Sequence, residues 1–425
     1  MLKTNIFILF YFIFTTINAQ TSLLNNAVRN VTDVIVHDVF SPPAASRIYT
    51  YSSIAAYQTL EPACKNFRSL YGKLNEMPVI PVPDKKETRI NYEFASVFAF
   101  YYTAKSFVFS EQLIQYKIDS LGVGLDIKEL SDTKNYAKRV AEKIIEWSSS
   151  DNYKETRTFP RYTLLQTPGS WQPTAPDYAD AVEPYWGELR TFVLDSSDCI
   201  PIKSPTGFSI DSNSQFYKEA IEVYNAINNL SEEQKMVVTF WDDNPFTTYY
   251  VGHMQFAHKK ISPAGHWLDI TRVAIESTKC DLEKAALAYA LVSIAMSDAF
   301  ISCWKQKYTA NTIRPETYIN KYIDELWRPY LQTPPFPEYP SGHSAISAAS
   351  ASILTNLFGE GFIFTDASET EFELPARTFI SFSEAAKEVS ISRVNGGIHF
   401  MPGVINGQQL GDDIGRYILD RIMLH

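Results

Sequence analysis

The chain is short of several features that would settle its chemistry at once. It has four cysteines, Cys64, Cys199, Cys280 and Cys303, and no two of them form a C-x-x-C pair. That spacing argues against a zinc ribbon or a thioredoxin-like redox site. Four cysteines admit three disulfide pairings, and the sequence does not choose among them. Cys280 and Cys303 lie just before and within an apolar helical pattern, so they read at least as well as buried free thiols. No H-E-x-x-H occurs, and His253 and His258 are five apart. Five residues turn a helix by roughly 140°, so these two do not share a face as zinc ligands would. Positive charge is in deficit, with 38 Lys and Arg against 48 Asp and Glu and a formal net charge of −10. Such a balance excludes nucleic acid and anionic membrane surfaces as natural partners. Beyond the N-terminus no run of 18 uninterrupted apolar residues occurs, so stable membrane insertion is not expected. Alternating strand patterns with hairpin turns are scarce as well.

What is present is ample apolar surface. Hydrophobic residues make up 45% and aromatics 14% of 425 residues, enough for a sizeable core and incompatible with a disordered or low-complexity chain. Residues 1–19 carry Lys3, an apolar run from Ile6 to Phe14 and a polar stretch ending at Ala19. That order is a secretory signal, and the run is about half the ~20 residues that span a bilayer. A soluble chain exported to the periplasm or secreted, cleaved near Ala19, is the expectation. Helical periodicity dominates the rest. It is clearest at Leu23–Phe40, stopping at Pro42-Pro43, and at Ala44–Leu60, Tyr92–Phe109, Glu111–Leu121 and Lys128–Ser148, the last capped near Ser131. It resumes at Ser214–Leu230, Ser231–Trp241, Ala285–Trp304, Ser341–Leu357 and Val404–Met423. Between them, residues 151–210 are rich in Pro, Asp, Ser and aromatics and read as a long ordered crossover. The expected organisation is all-α: a helical half over 20–150, this crossover, and a second helical half over 211–425. The aromatic-rich helical faces suit a homodimer interface as well as they suit a core.

Three short blocks near the C-terminus carry chemistry. The first runs Lys307-Tyr-Thr-Ala-Asn-Thr-Ile-Arg314-Pro315, the second is Pro340-Ser341-Gly342-His343, and the third is Ser392-Arg393-Val-Asn-Gly-Gly-Ile-His399. Lys307 and Arg314 are nearly two helical turns apart, so on one helix they project to one side, with Pro315 ending that helix. Ser341 and Gly342 open a small-residue helix, whose free N–H groups and positive dipole end favour anions. Arg393 and His399 flank Gly396-Gly397, where the backbone can turn sharply. Together these residues make a cage for a small tetrahedral oxyanion, which the planar arginine fork and the compact lysine charge both suit.

The pattern K-x6-R-P, P-S-G-H, S-R-x5-H resembles that of the superfamily shared by vanadium-dependent haloperoxidases and type 2 phosphatidic acid phosphatase-like acid phosphatases. Its blocks stand here in order, 24 residues apart from Pro315 to Pro340 and 48 apart from His343 to Ser392. The segments G-S-W-Q-P-T (169–174), P-Y-W-G (184–187), F-W-D-D-N-P (240–245) and S-P-A-G-H-W (262–267) are also similar to exported bacterial members. The resemblance implies helical bundles of the haloperoxidase and acid phosphatase type. It implies that Lys307, Arg314 and Arg393 neutralise oxyanion oxygens, that Ser341 and the Gly342 N–H bond others, and that His343 is the acid–base residue. His399 is then the axial ligand to vanadium, or the nucleophile of a phosphatase. With vanadate as cofactor the expected reaction is oxidation of iodide or bromide by hydrogen peroxide. Without it, the alternative is hydrolysis of small phosphate esters, and a phosphate-binding protein that is not an enzyme comes third. Cys303-Trp304-Lys305-Gln306-Lys307 and Phe336, seven before His343, match haloperoxidase surroundings, so Trp304 and Phe336 are candidates for a halide pocket. One departure stands out. Many members carry Asp four residues after the last histidine, and here that position is Gly403. The orientation of His399 must then come from elsewhere, a backbone carbonyl for instance, and the loss weighs more on the phosphatase. Asp242 and Asp243 read as exposed helix-end carboxylates rather than partners of an active-site arginine, and His266 as a brace of the fold.

Overall fold

A computed structural model describes residues 21–423, apart from Asn66, Phe246 and His258. The leader read at 1–19 and one of the two paired histidines therefore lie outside the described residues. Helix α1 covers residues 21–37 and buries Leu24, Ala27, Val28, Val31, Val34 and Ile35. The two prolines that follow do not only stop it. They open α2 (Pro42–Gln58), capped by the Ser41 side chain. Proline suits the first turn because its missing N–H has no partner there anyway. Every residue of α2 is buried. Its polar side chains are satisfied inside the core, as where Thr50 Oγ1 donates to the Ser293 carbonyl at 2.8 Å.

The N-terminal part continues through α3 (Tyr92–Lys105), α4 (Glu111–Ser120), α5 (Ile127–Ser148) and the short α6 (Tyr153–Thr156). The cap of α5 is Asp126, five residues before the expected Ser131; its carboxylate accepts from the N–H groups of Lys128 and Glu129. The crossover holds only α6 and one 3-10 turn, Trp186–Glu188. It is nonetheless fixed to the core. The buried Asp298 carboxylate accepts from the N–H groups of Phe192, Val193 and Leu194 at 2.6, 2.8 and 3.1 Å. Gly187 lies so close to Lys305 that a Cβ there would sit 2.6 Å from the Lys305 Cα.

The C-terminal part contains α7 (Gln215–Asn228), α8 (Glu232–Phe240), α9 (Pro263–Thr278), α10 (Leu282–Ala310), α11 (Pro315–Tyr322), α12 (Gly342–Phe358), α13 (Phe382–Asn395) and α14 (Met401–Met423). Two small antiparallel hairpins complete it: β1 (Thr248–Val251) with β2 (Met254–Ala257), and β3 (Phe364–Asp366) with β4 (Arg377–Phe379). The protein is helical throughout, with these two ribbons as the sheet among the described residues. Helix α10 is long and apolar enough to cross a membrane, but 94% of its apolar window is buried inside the protein. It is the central rod, packed against α2 on one side and α12 on another. One hydrophobic core runs from Leu24 to Ile422 around it.

Helices α9, α11 and α13 have no counterpart in the periodicity, and the first two begin with a proline after a capping position, Ser262-Pro263 and Arg314-Pro315. Helix α12, rich in Ala and Ser, crosses α14 closely enough that a Cβ at Gly411 would stand 2.0 Å from the Ala345 carbonyl oxygen. Gly403, Gly407, Gly411 and Gly415 recur every four residues along α14, so its backbone lies directly on α12 and on the loop before it. The described cysteines are all free thiols, Cys303 fully buried and the other three partly so.

Candidate functional site

The three sequence blocks meet at one end of α10. Lys307 lies in its last turn, Asn311 ends it in a left-handed conformation with φ 48°, and Arg314 is the N-cap of α11. Lys307 and Arg314 are therefore not on one helix, and Pro315 starts a helix instead of ending one. The intervening turn is held by the G-S-W segment: Trp171 N donates to the Asn311 carbonyl at 3.0 Å and Ile313 N to the Gly169 carbonyl at 2.8 Å. Ser341 caps α12, with His343 in the first turn. Arg393 ends α13, and Gly397, at φ 78°, turns the chain towards His399. Lys307, Arg314, Ser341, Arg393 and His399 are all buried, whereas His343 is half-buried.

The hydrogen bonds fix the protonation pattern. Arg314 donates from Nε to the Phe336 carbonyl at 2.9 Å, and from Nη1 to the Ile398 carbonyl at 2.7 Å and to His399 Nε2 at 3.1 Å. A guanidinium only donates, so His399 Nε2 bears the lone pair and Nδ1 bears the hydrogen. Nδ1 lies 2.7 Å from Glu338 Oε1, which also accepts from the Phe400 N–H at 3.2 Å. Glu338 thus supplies the carboxylate that position 403 lacks, and no backbone carbonyl is needed. Gly403 is the counterpart of that exchange, because a Cβ there would stand 2.2 Å from Glu338 Oε1. The clue in the sequence was the pairing of an acid three residues before Ser341 with a glycine at the usual acid position. Nothing short of the fold joins these two positions.

Lys307 behaves differently from the expectation. Its ammonium donates to the carbonyls of Pro337, Glu338 and Pro340 at 3.0, 2.9 and 2.5 Å, which occupies its three hydrogens. It clamps the 337–340 segment, which carries Glu338 and leads into Ser341, and adds its charge to the cage. Burial pulls its pKa down to about 7, partly offset by Cys303 and assisted by the Arg314 charge. Burial raises Glu338 to about 7 against the opposing pull of Arg314 and Lys307. His399 and His343 are both held well below the usual imidazole range, first by burial and then by the surrounding cations. Both rings are neutral bases.

Arg393 donates from Nη2 to the Trp241 carbonyl at 2.8 Å and from Nε to Ser392 Oγ at 3.1 Å, with Nη1 3.4 Å from His343 Nε2. The Ser341 hydroxyl oxygen accepts from the Ser344 N–H and Oγ at 3.3 and 2.9 Å, which leaves its own hydrogen to donate. Arg314 Nη2 is buried with no protein partner. A buried guanidinium nitrogen left unpaired is costly, and an oxyanion in the cage would satisfy it. Three cations, one free hydroxyl hydrogen and an orphaned guanidinium nitrogen fit a tetrahedral oxyanion such as vanadate or phosphate.

Trp304 and Phe336 stand together beside the cage, ring centroids 5.0 Å apart. Lys307 Nζ and Arg314 Cζ lie 5.2 and 5.1 Å from the Phe336 centroid, and Gly342 packs on the Trp304 edge. Val182, held in place by the crossover, accepts through its carbonyl from Trp304 Nε1 and Tyr308 OH. Asp242 and Asp243 are buried rather than exposed; Asp242 pairs with Lys260 and Asp243 with His266.

The model of the VCPO second helical-bundle domain matches residues 287–326 and 322–425. A bacterial vanadium-dependent iodoperoxidase is 43% identical in its solved structure, covering 94% of this chain and 96% of that one, with a TM-score of 0.89. A bacterial vanadium-dependent chloroperoxidase in its holo form shares the fold at 16% identity, over 91% and 94% of the two chains, with a TM-score of 0.70. No curated protein matches the chain.

Proposed function

The chain belongs to the vanadium-dependent haloperoxidase family, and on that premise we propose that it oxidises iodide, and bromide less readily, with hydrogen peroxide at a vanadate held by His399. The observation that carries this reading is Arg314 Nη2, a buried orphan donor on the guanidinium whose Nη1 donates to His399 Nε2. The 43% identical iodoperoxidase supports iodide as the first halide to test. Arg314, Arg393, Ser341 and the Gly342 N–H would hold the oxyanion oxygens, and Lys307 would add charge. Vanadate, when bound, supplies a Lewis acid that polarises peroxide without changing its own oxidation state.

The chain's own residues do the rest. Glu338 accepts from His399 Nδ1–H and so keeps Nε2 unprotonated and aimed at the cage. His343, neutral and half-buried, would take a proton from incoming peroxide and return it to the departing oxygen. Arg314 and Arg393, with Lys307 adding its charge, would withdraw electron density from the oxygens of a bound anion. Trp304 and Phe336 offer apolar walls next to two cations, an environment that suits a large, weakly hydrated anion. The leader at residues 1–19 supports export of the mature chain.

Glu338 also bears on the second reading. A histidine with a buried carboxylate partner is better equipped to act as a nucleophile, so the absence of Asp at 403 does not disfavour phosphomonoester hydrolysis. One preparation separates the two. The anion-free protein is loaded with orthovanadate and assayed for iodide and bromide oxidation, and a chromogenic phosphomonoester is assayed without vanadate. Halide oxidation that depends on vanadate and disappears in His399→Ala is the expected result. Vanadate-independent hydrolysis with no halide oxidation would overturn it.

A further inference from the structure

A second buried histidine lies behind the cage, in surroundings of opposite sign. His266, in the first turn of α9, is fully buried. Its Nδ1 is 3.0 and 3.1 Å from the two oxygens of Asp243, and its Nε2 is 2.8 Å from Asp366 Oδ2 and from Ser368 Oγ. Asp366 is itself fixed, its Oδ1 accepting from the Ser368 N–H at 2.9 Å and from Ser368 Oγ at 2.7 Å. Glu369, in the 3-10 turn Ser368–Phe372, is 2% exposed, and its Oε1 has no hydrogen-bond partner. One ligand atom each from Asp243, His266 and Glu369 lies within 4.8 Å of the other two. Three buried carboxyl groups, Asp243, Asp366 and Glu369, face one imidazole, while Lys260, paired with Asp242 at 2.9 Å, and Arg393 act on the group from outside it. The three carboxyl groups outnumber the one imidazole, and an unpaired buried carboxyl oxygen is unfavourable unless something positive meets it.

We propose that Asp243, His266 and Glu369 form a site for a divalent first-row transition cation, distinct from the oxyanion cage. The cation would bind His266 through Nδ1, with Asp243 and Glu369 as its carboxylate ligands. His266 Nε2–H would donate to Asp366. That is the arrangement by which metal-ligating histidines are held, the far ring nitrogen bonded to a carboxylate. The 3.0 Å separation of Asp243 and His266 is that of two ligands at about a right angle on an ion with bonds of ~2.1 Å. One nitrogen with carboxylate oxygens suits Mn2+ or Zn2+ better than an all-oxygen cation such as Ca2+. The site also touches the cage indirectly. Trp241 stacks on His266, centroids 4.6 Å apart, and the Trp241 carbonyl holds Arg393.

The test uses the full chain, freed of metals by chelator and supplied with Mn2+ alone, or Zn2+ alone, by equilibrium dialysis. Electron paramagnetic resonance reports bound Mn2+, and Trp fluorescence reports the ring on His266. One equivalent per chain is expected, with affinity lowered about tenfold or more in Glu369→Gln. It should be unchanged in His399→Ala, which separates this site from the vanadate reading. Uptake below a tenth of an equivalent would overturn the proposal. So would equal uptake by the wild type and Glu369→Gln, or loss of uptake in His399→Ala.

Discussion

The protein contains two buried histidines with carboxylate partners, and they are built to opposite ends. His399 meets one carboxylate, Glu338, and is ringed by Lys307, Arg314 and Arg393. His266 is sandwiched between Asp243 and Asp366 with Glu369 close by. The first ring is driven well below the ordinary imidazole pKa by burial and cations, whereas carboxylates outweigh burial and drive the second well above it. One side chain type thus gives a neutral base whose Nε2 lone pair accepts from Arg314, or a charged brace. The sign of the neighbours decides which. Only at His399 is a strong donor, Arg314 Nη2, left without a partner. An unmet donor among cations marks a place for an anion; an unmet acceptor among carboxylates marks a place for a cation.

The largest expected effect tests that division. His266→Leu leaves Asp243 and Asp366 buried without their shared donor, and stability should fall by about 3–5 kcal/mol. His399→Ala removes a neutral ring from a cation-rich pocket. It should leave stability within about 1 kcal/mol, because groups arranged for binding are not optimised for stability, while vanadate-dependent turnover disappears. Denaturant unfolding of the two variants beside the wild type decides it. Equal losses would mean that both histidines are ordinary structural residues.

A smaller effect is expected at Glu338. In Glu338→Gln the amide can still accept from His399 Nδ1–H, but the negative charge among three cations is gone. Vanadate affinity should fall about 10- to 100-fold, the usual range for a group that orients a metal-ligating histidine. Gly403→Asp alone should fail to help, because its side chain enters the space of Glu338 Oε1. Combined with Glu338→Ala, it should restore part of the affinity. Titration of vanadate against halide oxidation gives both numbers. An unchanged affinity in Glu338→Gln would remove Glu338 from the site.

Much of the cage was legible because its chemistry is carried by short blocks: Arg314-Pro315, Ser341-Gly342-His343 and Arg393 to His399 each stand within a few residues. The helical class was legible for the same local reason, periodicity. What escaped depended on contacts between distant segments. Glu338 and His399 are 61 apart in sequence, and their pairing rests on an α14 backbone that lies flat because position 403 has no side chain. The His266 group draws on Asp243 after α8 and on Asp366 and Glu369 between α12 and α13, more than 120 residues further on, so no spacing rule joins the two. Proline read as a stop at Pro42 and Pro315 opens a helix after a capping position, as it also does at Pro263, and a breaker and a first-turn residue look alike until the chain beyond them is seen to fold.

The smallest effect separates the two titrating groups that flank His399. Lys307, pulled down to about 7 in the anion-free protein, has an ordinary value of ~10.4 when unfolded. Between these values the unfolded chain binds the extra proton, so the Lys307 contribution makes stability rise with pH above about 7. Glu338, raised to about 7, has an unfolded value of ~4.3. Between those values the folded chain holds the extra proton, so the Glu338 contribution makes stability fall as pH rises from about 4 to 7. The two limbs meet near neutrality, where a buried ammonium and a buried carboxylate are each half-formed. Relative to the wild type, Lys307→Met should therefore lose the rising limb above pH 7, and Glu338→Gln the falling limb below it. An anion in the cage stabilises the charged ammonium, so saturating phosphate should move the rising limb to higher pH. The measurement is the difference in unfolding free energy between each variant and the wild type, from pH 4 to 10. Differences that stay flat across pH 7 in both variants would show that neither group titrates where the geometry of the cage places it.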